Sequence, residues 1–258
     1  MADVLLDISD RIATVTLNRP DARNALSGEV LRRLPALLHE AEADDGVDVI
    51  VLTGADPAFC AGLDLKELGA SGSDLDVTTE ANRSHDGVRG PFPKLTKPLI
   101  GAINGVAVTG GLELALNCDF LIASERAAFG DTHARVGVMP GWGLTVLLPR
   151  AVGVRRAREM SFTGNFMLAD EALARGLVNH VVAHDDLLPF TRRIASDIVG
   201  NEQDGVRQIR STYAQIVADG DGWETEARDA RAWRRSHFTP ETVDARRAAI
   251  QARGQQQQ

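Results

Sequence analysis

A pair of glycines followed by a lone carboxylate is the feature of this sequence that most suggests chemistry. Gly110 and Gly111 end an apolar run that begins at Ile103, and Glu113 then lies within the apolar segment 112–116. The pattern predicts a buried strand turning into a buried helix, whose first N–H groups are free and favour negative charge. A carboxylate in such surroundings is costly unless it has a partner or exchanges a proton. Two interpretations follow: an oxyanion site beside a general acid/base, or a tight helix–strand contact with a paired structural glutamate.

The composition indicates an ordinary globular protein that does not bind nucleic acid. The chain has 258 residues, is 44% hydrophobic and 25% charged, and carries a formal net charge of −8. Such an acidic balance argues against a nucleic-acid partner, although a local basic pocket can still bind an anion. Cys60 and Cys118 are too few for a disulfide framework or a metal cluster, which indicates free thiols in a reducing compartment. With no signal peptide and no membrane-length apolar run, we expect a cytoplasmic protein.

The order of elements predicts an α/β fold, since strands and helices alternate as far as residue 182. Beyond it the sequence becomes helical and rich in arginine, which predicts a core at 1–182, a helical region at 183–254 and a disordered glutamine tail at 255–258. The segment 69–87 is expected to be a mobile loop. The predicted elements are a hairpin of strands 4–8 and 12–17, a helix from Ser27 that Pro35 kinks or breaks, strands at 47–53, 98–108 and 120–123, and a helix at 111–116.

Two separated motifs stand out in the first half of the chain. The first occupies residues 58–68 and reads AFCAGLDLKEL; the second occupies residues 102–119 and includes Asn104-Gly105, the glycine pair and Glu113. In this order they resemble the motifs of the crotonase superfamily, the enoyl-CoA hydratase/isomerase family. Residues 19–26 and 129–143 extend the match. The resemblance implies a spiral of ββα units, a helical C-terminal region that mediates trimerisation, and an acyl-CoA thioester substrate in fatty acid metabolism, with no cofactor besides the CoA of the substrate.

The resemblance also assigns roles to individual residues. It implies an oxyanion hole made by the backbone N–H groups of Leu63 and Gly110, with Glu113 as the first of two acid/base glutamates. Arg23 and Lys66 match positions that face CoA, although either could be an ordinary solvated charge. Trp142 either narrows an acyl pocket or packs in the core. The predicted substrate-binding residues are Arg23, Ala61, Asp64, Leu65, Lys66, Gly141 and Trp142.

The position of the second glutamate is where this sequence departs from the family. Aligning Phe129-Gly130 and Pro140-Gly141 places His133 there, two residues after Asp131. Histidine titrates near neutral pH, so His133 could replace the glutamate as acid/base. It could instead orient substrate while Glu113 works alone, or be a structural histidine.

Three functions remain open after these observations. Enoyl-CoA hydration through an oxyanion-stabilised enolate is the first; double-bond isomerisation by Glu113 alone is the second; an acyl-CoA-binding homologue without activity is the third. The sequence contains no dinucleotide fingerprint, no P-loop and no cluster with metal-ligand spacing. The expected assembly is a homotrimer or a dimer of trimers, without nucleic-acid or membrane partners.

Overall fold

The computed structural model of the chain describes residues 2–64, 67, 90–136 and 140–219, with side chains as far as residue 215. The chain divides into two compact units, residues 1–207 and residues 208–258. Both sheets and the candidate active site belong to the first unit. The helices are α1 Gly28–Ala43, α2 Gly110–Leu116, α3 His133–Val136, α4 Leu144–Val152, α5 Val154–Thr163, α6 Ala169–Arg175, α7 Leu187–Val199 and α8 Gln203–Asp219.

Two sheets form the framework. Their strands are β1 Val4–Ser9, β2 Ile12–Leu17, β3 Val49–Gly54, β4 Ala58–Cys60, β5 Leu99–Ile103, β6 Val106–Val108, β7 Phe120–Ser124, β8 Ala128–Gly130, β9 Met167–Leu168 and β10 His180–Val182. The larger sheet has the strand order β1-β2-β3-β5-β7-β10 and is parallel apart from the β1–β2 hairpin; the smaller has the order β4-β6-β8-β9. Strands β3 and β5 are buried throughout, as expected for parallel strands covered on both faces.

The predicted hairpin and the Ser27 cap are confirmed, whereas the predicted break of the helix at Pro35 is wrong. Asp10 and Arg11 form the hairpin turn with φ values of 53° and 63°, the left-handed conformation that a two-residue hairpin turn requires. Ser27 caps α1, accepting a hydrogen bond from the Val30 N–H at 3.3 Å. Pro35 lies inside α1 without ending it, because tertiary packing of the apolar face outweighs the missing N–H.

The prediction of a single strand over residues 98–108 is wrong. The chain leaves the larger sheet after β5, turns at Asn104-Gly105 and enters the smaller sheet as β6. The turn packs closely against the preceding connection, because a Cβ at Gly105 would lie 2.5 Å from the Pro57 carbonyl oxygen. Because of this change of sheet, β6 pairs with β4 of the first motif, and the α2 helix that follows β6 begins beside that motif.

The helix α7 covers the face of the larger sheet opposite the main core. Its Leu187 and Ala195 pack with Ile12, Val49 and Ile100 of the sheet, so α7 belongs with the unit that ends at Arg207. The separate helical region expected from residue 183 to residue 254 stays a prediction. The expected loop at 69–87 and the glutamine tail lie outside the described residues.

Candidate active site

The two motifs meet where Gly62 approaches Gly110. Leu63 forms an isolated parallel bridge with Leu26, in which the Leu26 N–H donates to Gly62 O at 2.8 Å and the Asp64 N–H donates to Leu26 O at 3.1 Å. That pattern turns the Leu63 N–H away from Leu26. The neighbouring Gly62 lies close to the second motif, because a Cβ there would be 2.9 Å from Val108 O and 3.5 Å from Gly110 N. The φ of Gly62 is +87°. Only glycine adopts this conformation so close to β6 without strain.

Gly110 and Gly111 have different structural roles. Gly111 provides the tight contact between helix and strand, because a Cβ there would overlap the Cys60 carbonyl oxygen. Gly110 begins α2 and its N–H therefore has no intrahelical acceptor. Thr109 precedes it with a φ of +56°, a strained value for a threonine. Its N–H donates to Gly130 O at 2.9 Å, and its hydroxyl meets the Thr132 hydroxyl at 2.8 Å. These bonds hold the turn that sets the direction of the Gly110 N–H.

Glu113 lies on α2, one turn after Gly110, and is 3% exposed. Its Oε1 accepts hydrogen bonds from the backbone N–H groups of Trp142 at 2.7 Å and Leu144 at 3.4 Å. Its Oε2 lies 3.6 Å from His133 Nε2. One carboxylate oxygen is thus fixed by the backbone while the other faces the imidazole. This arrangement suits a carboxylate that exchanges a proton through Oε2.

His133 opens α3 and is held between two buried carboxylates. Its Nδ1 lies 2.7 Å from Asp131 Oδ1, and its backbone N–H donates to the same oxygen at 3.1 Å. Nε2 points to Glu113. Asp131 is 2% exposed and His133 is 6% exposed. The structure therefore brings together Glu113 and the histidine that occupies the position of the second glutamate.

Electrostatics keep His133 protonated at neutral pH. Burial lowers the pKa of its imidazole, but the interactions with Asp131 and Glu113 outweigh burial and raise the pKa to about 9. Burial acts to raise the pKa of Asp131, while hydrogen bonds from His133 and Ser161 lower it more strongly, so this carboxyl group titrates below its ordinary range. The cluster is an imidazolium flanked by two acidic side chains.

Trp142 links the site to the core. Its ring is buried; a Cβ at Gly90 would lie 2.8 Å from its Cγ, and a Cβ at Gly110 would lie 3.3 Å from its Cζ3. Its carbonyl accepts a hydrogen bond from Asn117 Nδ2 at 2.9 Å. The ring thus packs in the core while its edge contacts the start of α2. A narrowing of the acyl pocket by this ring stays a prediction.

Four other predicted residues are described, and two of them, Ala61 and Asp64, belong to the first motif. The Ala61 N–H donates to Arg23 O at 3.0 Å, which joins the first turn to the motif, and the Arg23 side chain is exposed. Asp64 forms an ion pair with Arg19 at 3.0 Å, which anchors the segment that carries Leu63. Gly141 is exposed beside Trp142. The predicted residues Leu65 and Lys66 lie outside the described residues.

Asp131, Thr109 and Asn117 are the site residues that sequence reasoning did not select. The only signal for Asp131 was its place two residues before His133. Asn117 donates to both Glu113 O and Trp142 O, at 2.8 and 2.9 Å, a bridge between segments distant in sequence. Over the described part of the chain, no group of three His, Cys, Asp or Glu residues is arranged so that it could hold a metal ion. No helix found there is long and apolar enough to span a bilayer.

Comparison with known proteins agrees with this architecture. The sequence model of the family "Enoyl-CoA hydratase/isomerase" matches residues 7–242. The probable enoyl-CoA hydratase 1, peroxisomal, of Arabidopsis thaliana is 41% identical over 82% of this chain and 77% of its own length. An enoyl-CoA hydratase from Mycobacterium smegmatis is 53% identical, with a TM-score of 0.75 over 91% of this chain and 99% of that one.

A monofunctional enoyl-CoA isomerase from M. smegmatis is also similar, with 35% identity and a TM-score of 0.70 over 84% of this chain and 95% of that one. The same fold thus accompanies both activities among the relatives, so the choice between them has to come from the site itself. The family match covers the smaller sheet, the larger sheet from the middle of β1 onward, and the Glu113–His133 pair. The chain belongs to the enoyl-CoA hydratase/isomerase family.

Proposed function

We propose that the protein is an enoyl-CoA hydratase, which adds water across the C2–C3 double bond of a 2-enoyl-CoA. The observation that carries this proposal is the meeting of Glu113 and His133, 3.6 Å apart, beside the approach of Gly62 to Gly110. Hydration needs a group that accepts a proton from water and a group that gives a proton to carbon. The two side chains supply both within one buried site.

The oxyanion hole of the proposed reaction consists of the backbone N–H groups of Leu63 and Gly110. The bridge to Leu26 directs the first donor towards β6, and the strained turn at Thr109 directs the second. The thioester oxygen binds between them and gains negative charge as the enolate forms. Fixed donors of this kind contribute about 3 kcal/mol each to lowering the barrier.

Glu113 acts as the base and His133 as the acid. Oε2 of Glu113 accepts a proton from water as the water oxygen bonds to C3, and the electron pair of the double bond moves towards the thioester oxygen. C2 of the enolate then takes the proton from His133 Nε2. Transfer of the proton from Glu113 to the neutral imidazole, across the 3.6 Å between them, restores the starting state. The pKa of about 9 supplies the protonated histidine that the second step consumes.

Substrate binding and assembly complete the proposal. Arg23 and Lys66 contact the CoA phosphates, while Ala61, Asp64, Leu65 and Gly141 line the path of the thioester and Trp142 limits the acyl end. The enzyme needs no cofactor beyond the CoA of its substrate. It acts as a homotrimer or a dimer of trimers in the cytoplasm, where Cys60 and Cys118, which form no disulfide, remain reduced.

Isomerisation is the second candidate, favoured by one observation. Glu113 is a single carboxylate with one oxygen fixed by backbone N–H groups and the other directed into the site. One such group can move a proton between C2 and C4 of a 3-enoyl-CoA without adding water. In that reaction His133 would only orient the carboxylate.

The test is a direct assay of the purified protein with a four-carbon 2-enoyl-CoA, followed by loss of the conjugated absorbance. We expect Glu113-dependent loss of absorbance and formation of a 3-hydroxyacyl-CoA. No loss with this or longer 2-enoyl-CoA substrates, together with conversion of a 3-enoyl-CoA, would replace hydration by isomerisation. Binding of both thioesters without turnover would identify a non-catalytic homologue.

A further inference from the structure

Asp131 has a hydrogen-bonding arrangement that the hydration mechanism alone does not explain. Its Oδ1 accepts two hydrogen bonds from the same residue, one from the His133 backbone N–H at 3.1 Å and one from Nδ1 at 2.7 Å. The carboxylate is 2% exposed, so placing it there is costly unless its charge is used. The double contact fixes both the backbone and the ring of His133.

The consequence concerns which nitrogen of the ring can react. Since Nδ1 donates its proton to Asp131, this nitrogen stays protonated in both charge states of the imidazole. Nε2 is then the nitrogen that gains and loses a proton, and it faces Glu113. An acidic partner on the far nitrogen also makes the imidazole more basic.

We propose that Asp131 is a positioning residue that holds His133 with Nε2–H facing Glu113, on the side where the proposed reaction takes place, and keeps it a proton donor through neutral and mildly alkaline pH. This inference rests on the proposed hydration. Asp131 touches no reacting atom in it. It acts through His133: without Asp131, burial would lower the pKa of the imidazole against the interaction with Glu113 alone, so a larger fraction of the ring would be neutral at the pH of the cell.

The surroundings support a charged Asp131. The charged groups facing the ring are Glu113 of α2 on one side and Asp131 itself on the other. From α5, the Ser161 hydroxyl donates to Asp131 and stabilises its ionised form. When His133 gives its Nε2 proton to C2, the Nδ1–H bond to Asp131 remains, so the product state keeps the ring in place. The next proton therefore returns to Nε2.

The first test compares the pH dependence of kcat/KM in the wild type and in Asp131→Asn. The wild type should keep its activity up to a midpoint of about 9 and lose it above. Asparagine keeps the size of the side chain but removes the charge, so this midpoint should fall by about two units. The kcat/KM of Asp131→Asn should then be about tenfold below that of the wild type at pH 8 and less than about twofold below it at pH 6. A loss equal at all pH values would overturn the proposal, because a merely structural role predicts that result.

The second test measures His133 without relying on turnover. Proton NMR titration of its Cε1–H, assigned by its absence from His133→Gln, should give a midpoint near 9 in the wild type and a lower one in Asp131→Asn. An unchanged midpoint overturns the role of Asp131. If the titration moves as expected but no 2-enoyl-CoA is hydrated, the proposed function fails while the geometry of the pair stands, so the two failures are distinct.

Two further variants keep the inference testable if Asp131→Asn folds poorly. Asp131→Glu keeps the charge and should retain the wild-type alkaline midpoint even where kcat is lower. In a His133→Gln background, Asp131→Asn should add less than about twofold to the loss of kcat, because it acts through a side chain that is already gone. Additive losses in this cycle would contradict the proposal.

Discussion

Two histidines of this protein have the same pattern of ring contacts and opposite surroundings. His133 contacts Asp131 through Nδ1 and Glu113 through Nε2. His184 contacts the Ser124 hydroxyl through Nδ1 at 3.0 Å and Asp56 Oδ2 through Nε2 at 3.0 Å. Each ring joins segments far apart in the chain. Contacts alone therefore do not distinguish the histidine of the proposed reaction from a structural one.

The difference lies in the burial of the acidic partners and in what lies beside them. Glu113 and Asp131 are almost completely buried, whereas the Asp56 side chain is 62% exposed. Asp56 also accepts a hydrogen bond from Asn104, which, together with His184, holds the pKa of this carboxyl below its ordinary value. Only the Glu113 side chain follows the Gly110 turn. We infer from this difference that the buried charges beside the start of α2 belong to the proposed reaction, whereas the contact of His184 with an exposed acid is structural.

The largest effect that separates the two clusters is expected from Glu113→Gln. Glutamine retains the size of the side chain and can still accept from the Trp142 N–H, but it cannot accept a proton from water. Turnover of a 2-enoyl-CoA should fall at least about 100-fold, the scale for loss of a positioned acid/base. Steady-state kinetics at pH 7 measure the loss.

Asp56→Asn is the matched control, since it makes the same chemical change beside the other histidine. Its turnover should stay within about twofold of the wild type, as expected for a group outside the reaction. Near-wild-type activity in Glu113→Gln, or a large loss of activity in Asp56→Asn, would show that the reaction does not take place at the Glu113 cluster as proposed.

Local patterns predicted the fold where one segment decides its own structure. The alternating residues of 4–17 and the Ser27 cap specify the hairpin and α1 without help from the rest of the chain. The break at Asn104-Gly105 was not predicted because β5 and β6 are both apolar and adjoin in sequence, so the hydrophobic pattern hardly changes between them. Packing of Gly105 against Pro57, a long-range contact, decides that the strand ends there.

Prediction of the site from the sequence was limited in the same way, by contacts between segments that are distant in the chain. The motifs identified Glu113, His133 and Gly110 as residues of one site, and the structure brings the first two within 3.6 Å. The support from Asn117 and from the Trp142 N–H depends on loops that meet only in the folded chain. Asp131 could not be selected, because an aspartate two residues before a histidine contacts it only in particular turns.

A smaller effect, on stability, should distinguish the two histidines by pH. The pKa of His133 rises from 6.5 to about 9 on folding, so the folded state binds a proton more tightly. Its contribution is fully present below pH 6.5 and is lost as the pH rises to about 9. The free energy of unfolding of the wild type should thus fall by about 2 kcal/mol more over this range than that of His133→Gln. Urea unfolding at fixed protein concentration measures both slopes.

His184→Gln serves as the control for this slope. It retains His133 and both of its carboxylates, so its stability should decline between pH 6.5 and 9 as steeply as that of the wild type. If the pH dependence of the free energy of unfolding disappeared in His184→Gln and persisted in His133→Gln, the proton would be taken up at His184 and not at His133.

The smallest effect is expected from removing the structural tie itself. His184 joins the end of β7 to the Asp56 loop, and His184→Ala deletes both contacts, leaving the buried Ser124 hydroxyl without its ring partner. Loss of such hydrogen bonds costs about 1 kcal/mol, and the exposed ion pair adds little. The urea midpoint should therefore fall slightly, while kcat and its alkaline midpoint stay at wild-type values. A shift of that midpoint would mean that the two clusters are coupled, and burial of the acid would then no longer separate catalytic from structural histidine.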